Sequence, residues 1–416
     1  MLTVPEAVAE ITKGIEPRGV ERVALLEALG YVLASDAIAP YTLPQWDNSA
    51  MDGYALRAAD IADASADRPV VLPVLETIAA GAFATRSVGA GEAMRIMTGA
   101  PLPQGADTVV RVEDTDGGID RVSIRNARDA RKNIRPLGED FRKGSVVIAT
   151  GTPLAAAQLG VLASLGYANV DVHRRPVVAI AGSGDELVDL DRFDEVVAGT
   201  KIVASNRYTL DALVRQAGGV PRHLGNAADT PESLRAVLEQ SRGCDLLVTS
   251  AGASVGEFDY TRQVLESLGA ELRFWRVRMR PGAPLGFGTL EGMPWIGLPG
   301  NPVSAMVTFE LFARPVIRRM LGHARLFRRP VSAVLEEPVS IGAKLMHFLR
   351  GVTRSREDGT LSVRLTGPQG SGILTSMSQA NALLIVPEDR PRVEAGERLN
   401  VLPLSEDAQL AEVFAL

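Results

Sequence analysis

The carboxylates Asp185, Glu186, Asp229 and Asp259 all fall at turns that follow strand-like segments or precede helix-like ones. Oxygen donors of this kind suit Mg²⁺, particularly when a substrate phosphate completes the shell. A single aspartate at a helix start serves equally well as a cap. Beyond them lies ELRFWRVRMRP, residues 271–281, where strand periodicity puts Phe274, Arg276, Arg278 and Arg280 on one face and Trp275, Val277 and Met279 on the other. Guanidinium groups in such a row attract phosphate or another oxyanion, although a solvated edge strand with salt bridges carries the same letters. On either side are glycine turns. SAGASVG, 250–256, contains Ser250, Gly252 and Ser254, and its small residues let backbone amides approach an anion or simply form a tight turn. It lacks the GK[ST] of a P-loop, and GSGDEL at 182–187 has only the first two glycines of a dinucleotide fingerprint. Pro299, Gly300 and Asn301 precede a helix in which Asn301 can cap, Pro302 has no donor to satisfy and Ser304 sits in the first turn, leaving free amides for an anion.

These groups need elements to hold them. From residue 176 to 328 the pattern rotates through strand, turn and helix: PVVAIAG, NRYTLDALVRQAGG, VPRHLG, TPESLRAVLEQSRG with Thr230 as cap, then DLLVTS. This predicts a parallel sheet with helices on both faces. The helix after Asn301 is apolar on nearly every face, and Pro315 is expected to kink or end it. Residues 41–142 read as a β-rich insert of short apolar runs between glycine, proline and aspartate turns. Within it, PQWDNSAMDGYALR and IMTGAPLPQGAD are polar loops in which Thr98 either binds an oxyanion or forms a turn. Residues 1–40 and 143–175 read as one discontinuous helical unit, with a second apolar stripe at Val23, Leu25, Leu26 and Leu29, and a helix over 151–167 begun by Thr152 and Pro153. Residues 329–416 predict a small β-barrel or sandwich.

With 416 residues the chain exceeds what one core usually holds. A net charge of −6 argues against a general nucleic-acid surface. The single cysteine, Cys244, cannot form an internal disulfide and reads as a small core residue; four histidines offer no zinc spacing. No apolar run is long enough to span a membrane, and the first residues carry no signal or transit pattern. A reducing cytoplasm is the expected location.

DNSAMDGYA (47–55), MTGAPLPQGAD (97–107), RPLGED (135–140), GDEL (184–187), SVGEFDYT (254–261) and GLPGNPVSA (297–305) together resemble the ordered motifs of the molybdopterin molybdenumtransferase family, which includes the C-terminal domain of gephyrin. The resemblance implies an α/β multidomain subunit. Its parts would be a three-layer sheet domain of molybdopterin-binding type (176–328), an inserted β-rich domain (41–142), a discontinuous helical linker domain (1–40 and 143–175) and a C-terminal β-barrel domain (329–416). It further implies a homodimer whose cleft lies between the sheet domain of one subunit and the inserted domain of the other. The implied reaction moves molybdenum from molybdate into adenylylated molybdopterin, with Mg²⁺ and loss of AMP. By the same resemblance Asp52, Thr98, Glu186 and Asp259 are the catalytic positions, and Glu186, Asp229 and Asp259 the metal positions. Asp140, Ser250, Gly252, Ser254, Arg276, Arg280, Pro299, Gly300 and Asn301 would bind substrate. Implied partners are the molybdopterin adenylyltransferase and apo-molybdoenzymes. The sequence departs from the family at Ala283, where a lysine is usual, and at Ala204, where an aspartate is common; Arg276 and Arg280 replace lysines. A nucleotidyltransferase variant and a non-catalytic scaffold remain alternatives, and molybdate is not distinguished from tungstate.

Overall fold

The computed structural model describes residues 1–250 and 258–404, the side chains of residues 258–260 excepted. The chain folds as two units, Met1–Ala34 with Gly151–Ala156 and Asn169–Leu416, and Ser35–Thr150 with Ala157–Ala168.

The first unit is built on a six-stranded sheet. Its strands are β1 (Val177–Ser183), β2 (Val220–Ala227), β3 (Leu246–Ser250), β4 (Ala270–Arg276), β5 (Pro284–Leu290) and β6 (Met293–Leu298), in the order β2-β1-β3-β6-β5-β4. β2, β1, β3 and β6 are parallel, while at one edge β5 pairs antiparallel with β6 and β4 antiparallel with β5. Every residue of β3 is buried, as expected of a parallel strand covered on both faces. Helices α1 (Ser205–Gln216) and α4 (Pro302–Thr308) bring Leu210, Val214, Val303 and Val307 against one face; α2 (Pro231–Glu239) and α3 (Phe258–Ser267) bring Leu234, Leu238, Val264 and Leu265 against the other. The result is the expected three-layer domain. Thr230 caps α2 by accepting from Ser233 N, with Pro231 in the first turn where its missing N–H costs nothing.

The helix after Asn301 does not end at Pro315. It continues through a π segment, Phe309–Ala313, into α5 (Arg314–Met320). Proline lacks the N–H for the preceding turn and its ring crowds the carbonyl four residues back; the widened turn just before it relieves both.

C-terminal to α5, Val331–Leu335, Met346–Ser355, Leu361–Leu365, Ala382–Val386 and Arg398–Pro403 pair in a closed ring around Leu335, Val363, Leu384 and Val401. This is the expected barrel. Met279–Arg280 adds to its rim beside Met346 and His347, so the arginine-bearing segment is not one strand. β4 carries bulges and ends at Arg276, and the chain then crosses to the barrel, where Arg278 pairs with Glu388 at 2.9 Å. The ladder of Arg276, Arg278 and Arg280 on a single strand face is therefore broken.

Two helical expectations for residues 1–40 and 143–175 also change. Val4–Thr12 is a helix with a capping box between Thr3 and Glu6. The second stripe is instead a strand, Val20–Ala24, paired antiparallel with Asn169–His173, followed by a 3₁₀ turn at Leu25–Glu27. Leu26 and Leu29 are 94% and 58% exposed, so they seal no helix face in this chain. The later helix is Ala156–Ser164; Thr152 and Pro153 precede it, and Pro153 bridges to Val32 instead.

The second unit carries a five-stranded sheet in the order Thr108–Arg111, Gly53–Leu56, Ala93–Ile96, Val70–Ile78, Arg121–Ile124, with apolar clusters centred on Tyr54 and Ile124 and on Met94 and Val109. Asp129, 1% exposed, clasps Arg111 through two side-chain hydrogen bonds of 2.7 and 2.9 Å and a third from the Arg111 backbone N–H. Burial alone would raise the Asp129 pKa; the Arg111 hydrogen bonds outweigh it, and the carboxyl titrates below its ordinary value. The pair's stability is present above the unfolded carboxyl pKa of about 3.9 and is lost as pH falls through the lower folded value. Asp129→Asn is accordingly expected to flatten the acid limb of a melting-temperature profile below about pH 4. A limb as steep as the parent's would show that the pair does not control acid unfolding.

Candidate functional site

A cleft of about 340 Å³ opens at the carboxyl ends of the parallel strands. It lies where the chain order reverses, between β1, which is followed leftward by β2, and β3, which returns on the other side. Open α/β sheets bind ligands at such switch points. Gly182 and Ser250 face each other in register there, and the lining includes Glu186, Asn206, Ser250, Pro299, Gly300 and Asn301.

The turn after β1 sets Glu186. Gly184 has φ +140°, and a Cβ built on it would stand 2.6 Å from the Glu186 carboxylate, so only glycine leaves that side chain its place. Glu186 is exposed, and among the described residues its carboxylate takes part in no hydrogen bond or ion pair. Asp185 and Asp229 are committed differently: each carboxylate accepts from the other's backbone N–H, at 3.1 and 3.2 Å, bracing the two loops together. One oxygen of each remains unused by that brace. Among the described residues no group of three or more His, Cys, Asp or Glu side chains is gathered as a metal site. The Asp259 side chain, Gly252 and Ser254 lie outside the described residues.

Asn301 occupies the N-cap position of α4 but its side chain makes no capping bond. The Val303 N–H is taken by the Ser371 carbonyl at 3.2 Å. Fewer amides are thus free here than the sequence pattern suggests. Arg276 is exposed at the end of β4, opposite Pro284, which lines the cleft, whereas Arg280 lies at the barrel rim next to His347. Neither arginine lines the cleft itself. Ala283 offers no side-chain donor and its carbonyl accepts from Val277 N; Arg278, engaged with Glu388, does not stand in for a cation there. Ala204 is buried at the N-cap of α1 and supplies no side-chain cap.

In the second unit, two motifs that lie far apart in sequence meet. Asp52 Oδ1 accepts from both the backbone N and the hydroxyl of Thr98, each at 2.7 Å. The Thr98 side-chain hydrogen bond, with its backbone partner, holds the Asp52 carboxyl below the usual range. Thr98 therefore presents an oxygen rather than a free proton, and Asp52 a fixed carboxylate. Asp140 is exposed in a turn, its backbone N–H bonded to Leu43 O.

Two residues carried no readable signal. Asn206 donates to Ser250 Oγ at 2.6 Å and to the Gly300 carbonyl at 2.7 Å; its only mark in the sequence is a place in the first turn of a helix. Arg350 is completely buried, with Nε bonded to Ser376 Oγ at 2.9 Å, Nη2 to Gly370 O at 2.9 Å and no carboxylate partner among the described residues. It holds the loop whose Ser371 carbonyl reaches α4.

Comparison with known proteins agrees along the chain. The family described as "MoeA N-terminal region (domain I and II)" matches residues 2–166, "Probable molybdopterin binding domain" matches 179–319, and "MoeA C-terminal region (domain IV)" matches 332–404. Molybdopterin molybdenumtransferase 2 of Mycobacterium tuberculosis is 38% identical over 409 residues, spanning 96% of this chain and 98% of that protein. Molybdopterin molybdenumtransferase of Bacillus subtilis is 36% identical, spanning 98% and 95%. The crystal structure of the molybdopterin biosynthesis moeA protein from Pyrococcus horikoshii superposes with a TM-score of 0.83 at 29% identity, covering 97% of this chain and all of that one. With cleft, motifs and full-length similarity in agreement, this chain belongs to the MoeA, or molybdopterin molybdenumtransferase, family.

Proposed function

We propose that this protein is an enzyme that inserts molybdenum from molybdate into the dithiolene of adenylylated molybdopterin and releases AMP. The observation that carries the reading is the switch-point cleft lined by an uncommitted Glu186 together with Ser250, Gly300 and Asn301, in a chain similar end to end to molybdopterin molybdenumtransferases. The roles follow from the chemistry. Ser250 and the backbone of the 299–301 turn hold the adenylate phosphate; Arg276 lies close enough along β4 to add long-range positive charge. An oxygen of water or molybdate bonds to the AMP phosphorus while the bridging oxygen leaves with the molybdopterin phosphate. Gly252 and Ser254 are proposed as further substrate-binding residues and Asp259 as a catalytic one.

Mg²⁺ would be held by Glu186, by the spare oxygen of Asp229 and by Asp259, with substrate phosphate completing a shell of hard oxygen donors. When bound it neutralises phosphate charge that would otherwise repel an incoming oxygen. The described carboxylates suit this chemistry, since Glu186 is free and exposed beside the cleft.

The reading divides the chain into the four domains named above and joins two subunits, so that the Asp52–Thr98 pair and Asp140 of one approach the molybdate and pterin end in the other; Arg280 would face the same region. The subunits work in the cytoplasm, receiving substrate from a molybdopterin adenylyltransferase and passing product to apo-molybdoenzymes. Among the described residues no helix is long and apolar enough to cross a membrane. Mixing inactive Glu186→Gln and Asp52→Asn proteins is expected to restore activity in mixed dimers, because half their clefts draw both residues from intact copies. No recovery after subunit exchange would refute the shared site.

The direct test supplies adenylylated molybdopterin, molybdate and Mg²⁺, and follows AMP together with activation of an apo-molybdoenzyme. Both should appear. Consumption of ATP or CTP without molybdenum insertion would instead identify a nucleotidyltransferase, and neither product, with tight protein binding, a scaffold.

A further inference from the structure

We infer that Asn206 is a positioning residue that turns the Ser250 hydroxyl into a hydrogen-bond donor for a phosphate oxygen in the cleft and keeps the Gly300 carbonyl from repelling it. This deepens the function proposed above and rests on the cleft taking the adenylate. Both protons of the Asn206 amide are used, one on Ser250 Oγ at 2.6 Å and one on Gly300 O at 2.7 Å. The amide cannot be turned over, because its oxygen would then face the Gly300 carbonyl, an acceptor with no proton to give. Ser250 Oγ is therefore the acceptor of that pair, and its own proton has no acceptor among the described residues. Ser250 is 5% exposed and lines the cleft, so the proton has little water to turn to.

The other end of the amide supports this assignment. Asn206 Oδ1 is buried and has no hydrogen-bond partner among the described residues. A side chain selected only for stability would not leave an acceptor stranded. Here the donor end performs two tasks. It ties the first turn of α1 to the end of β3 and to the loop before α4, and it converts two acceptors facing an anion site into one donor and one masked carbonyl. Anions bind where donors converge and lone pairs do not.

The test uses the full-length protein and AMP as probe, by calorimetric titration, with KM and kcat for AMP release measured alongside. Asn206→Ala is expected to weaken AMP binding about tenfold, and Asn206→Asp, which draws in the Ser250 proton and adds charge, roughly a hundredfold. Asn206→Ser keeps one donor and should recover part of the loss, with KM affected more than kcat. In a Ser250→Ala background, Asn206→Ala should cost clearly less than in the parent. Equal cost in both backgrounds, or parental affinity in Asn206→Asp, overturns the inference alone. Failure of the parent to bind AMP overturns the reading of the cleft and the inference with it. If Asn206→Ala does not fold, the similarly sized Asn206→Asp carries the test.

Discussion

Glu186→Gln is expected to lower AMP release by roughly two to three orders of magnitude while leaving the urea midpoint unchanged. The substitution keeps size and shape and removes only charge. In the folded protein that charge is solvent-exposed and takes part in no hydrogen bond or ion pair among the described residues, so folding does not depend on it. On the proposed function the reaction would depend on it, because an oxygen donor beside a polyanionic substrate is where a cation is needed. The Mg²⁺ concentration for half-maximal release should rise together with the loss of rate. Parental turnover at ordinary Mg²⁺ would remove Glu186 from the site, and a fallen midpoint would turn its role into a structural one.

Trp295→Ala is expected to have the largest effect on stability, about 3–5 kcal/mol, read as a shift in the urea midpoint. Trp295 is 1% exposed, its Nε1 donates to Thr249 Oγ1 at 3.1 Å, and its ring lies 5.4 Å from that of Trp275. The sheet is shaped around it. A Cβ on Gly286 or Gly297 would come within 2.4 and 2.5 Å of the indole, so two strands give up side chains to admit one. Alanine would leave a large void and an unpaired hydroxyl on Thr249, next to Ser250. Gly286→Ala tests the same packing from the opposite direction and should cost about 1–3 kcal/mol. Parental midpoints in both variants would show that this layer does not limit stability.

Much of this was legible because local rules and tertiary demands coincide. β1 and β3 are apolar runs followed by glycine-bearing turns, and Thr230 with Pro231 is a helix start in any context. The motif resemblance assigned Asp52 and Thr98 to one site, but the contact between them was not legible, since nothing local brings the two together. What could not be read depends on distant partners. Val20–Ala24 is a strand because Asn169–His173 returns to pair with it. The arginine row breaks because the barrel offers Met279 and Arg280 a second sheet. Asn206 and Arg350 gain their roles from three-dimensional neighbours, and an amide in a helix or an arginine in a strand shows nothing of that in its spacing.

The hydrogen bond from Val303 N to the Ser371 carbonyl bears on modularity. The first turn of α4 opens beside the cleft, yet one of its amides is satisfied by a barrel loop that Arg350 holds in shape. Phe348, Met377, Leu383 and Leu402 of the barrel region also enter the same apolar cluster as the sheet and α4. The sheet domain is therefore not a portable cassette: a fragment cut after residue 328 would expose that cluster and release an amide at the cleft's edge. Transplanting this cleft would mean carrying the barrel with it.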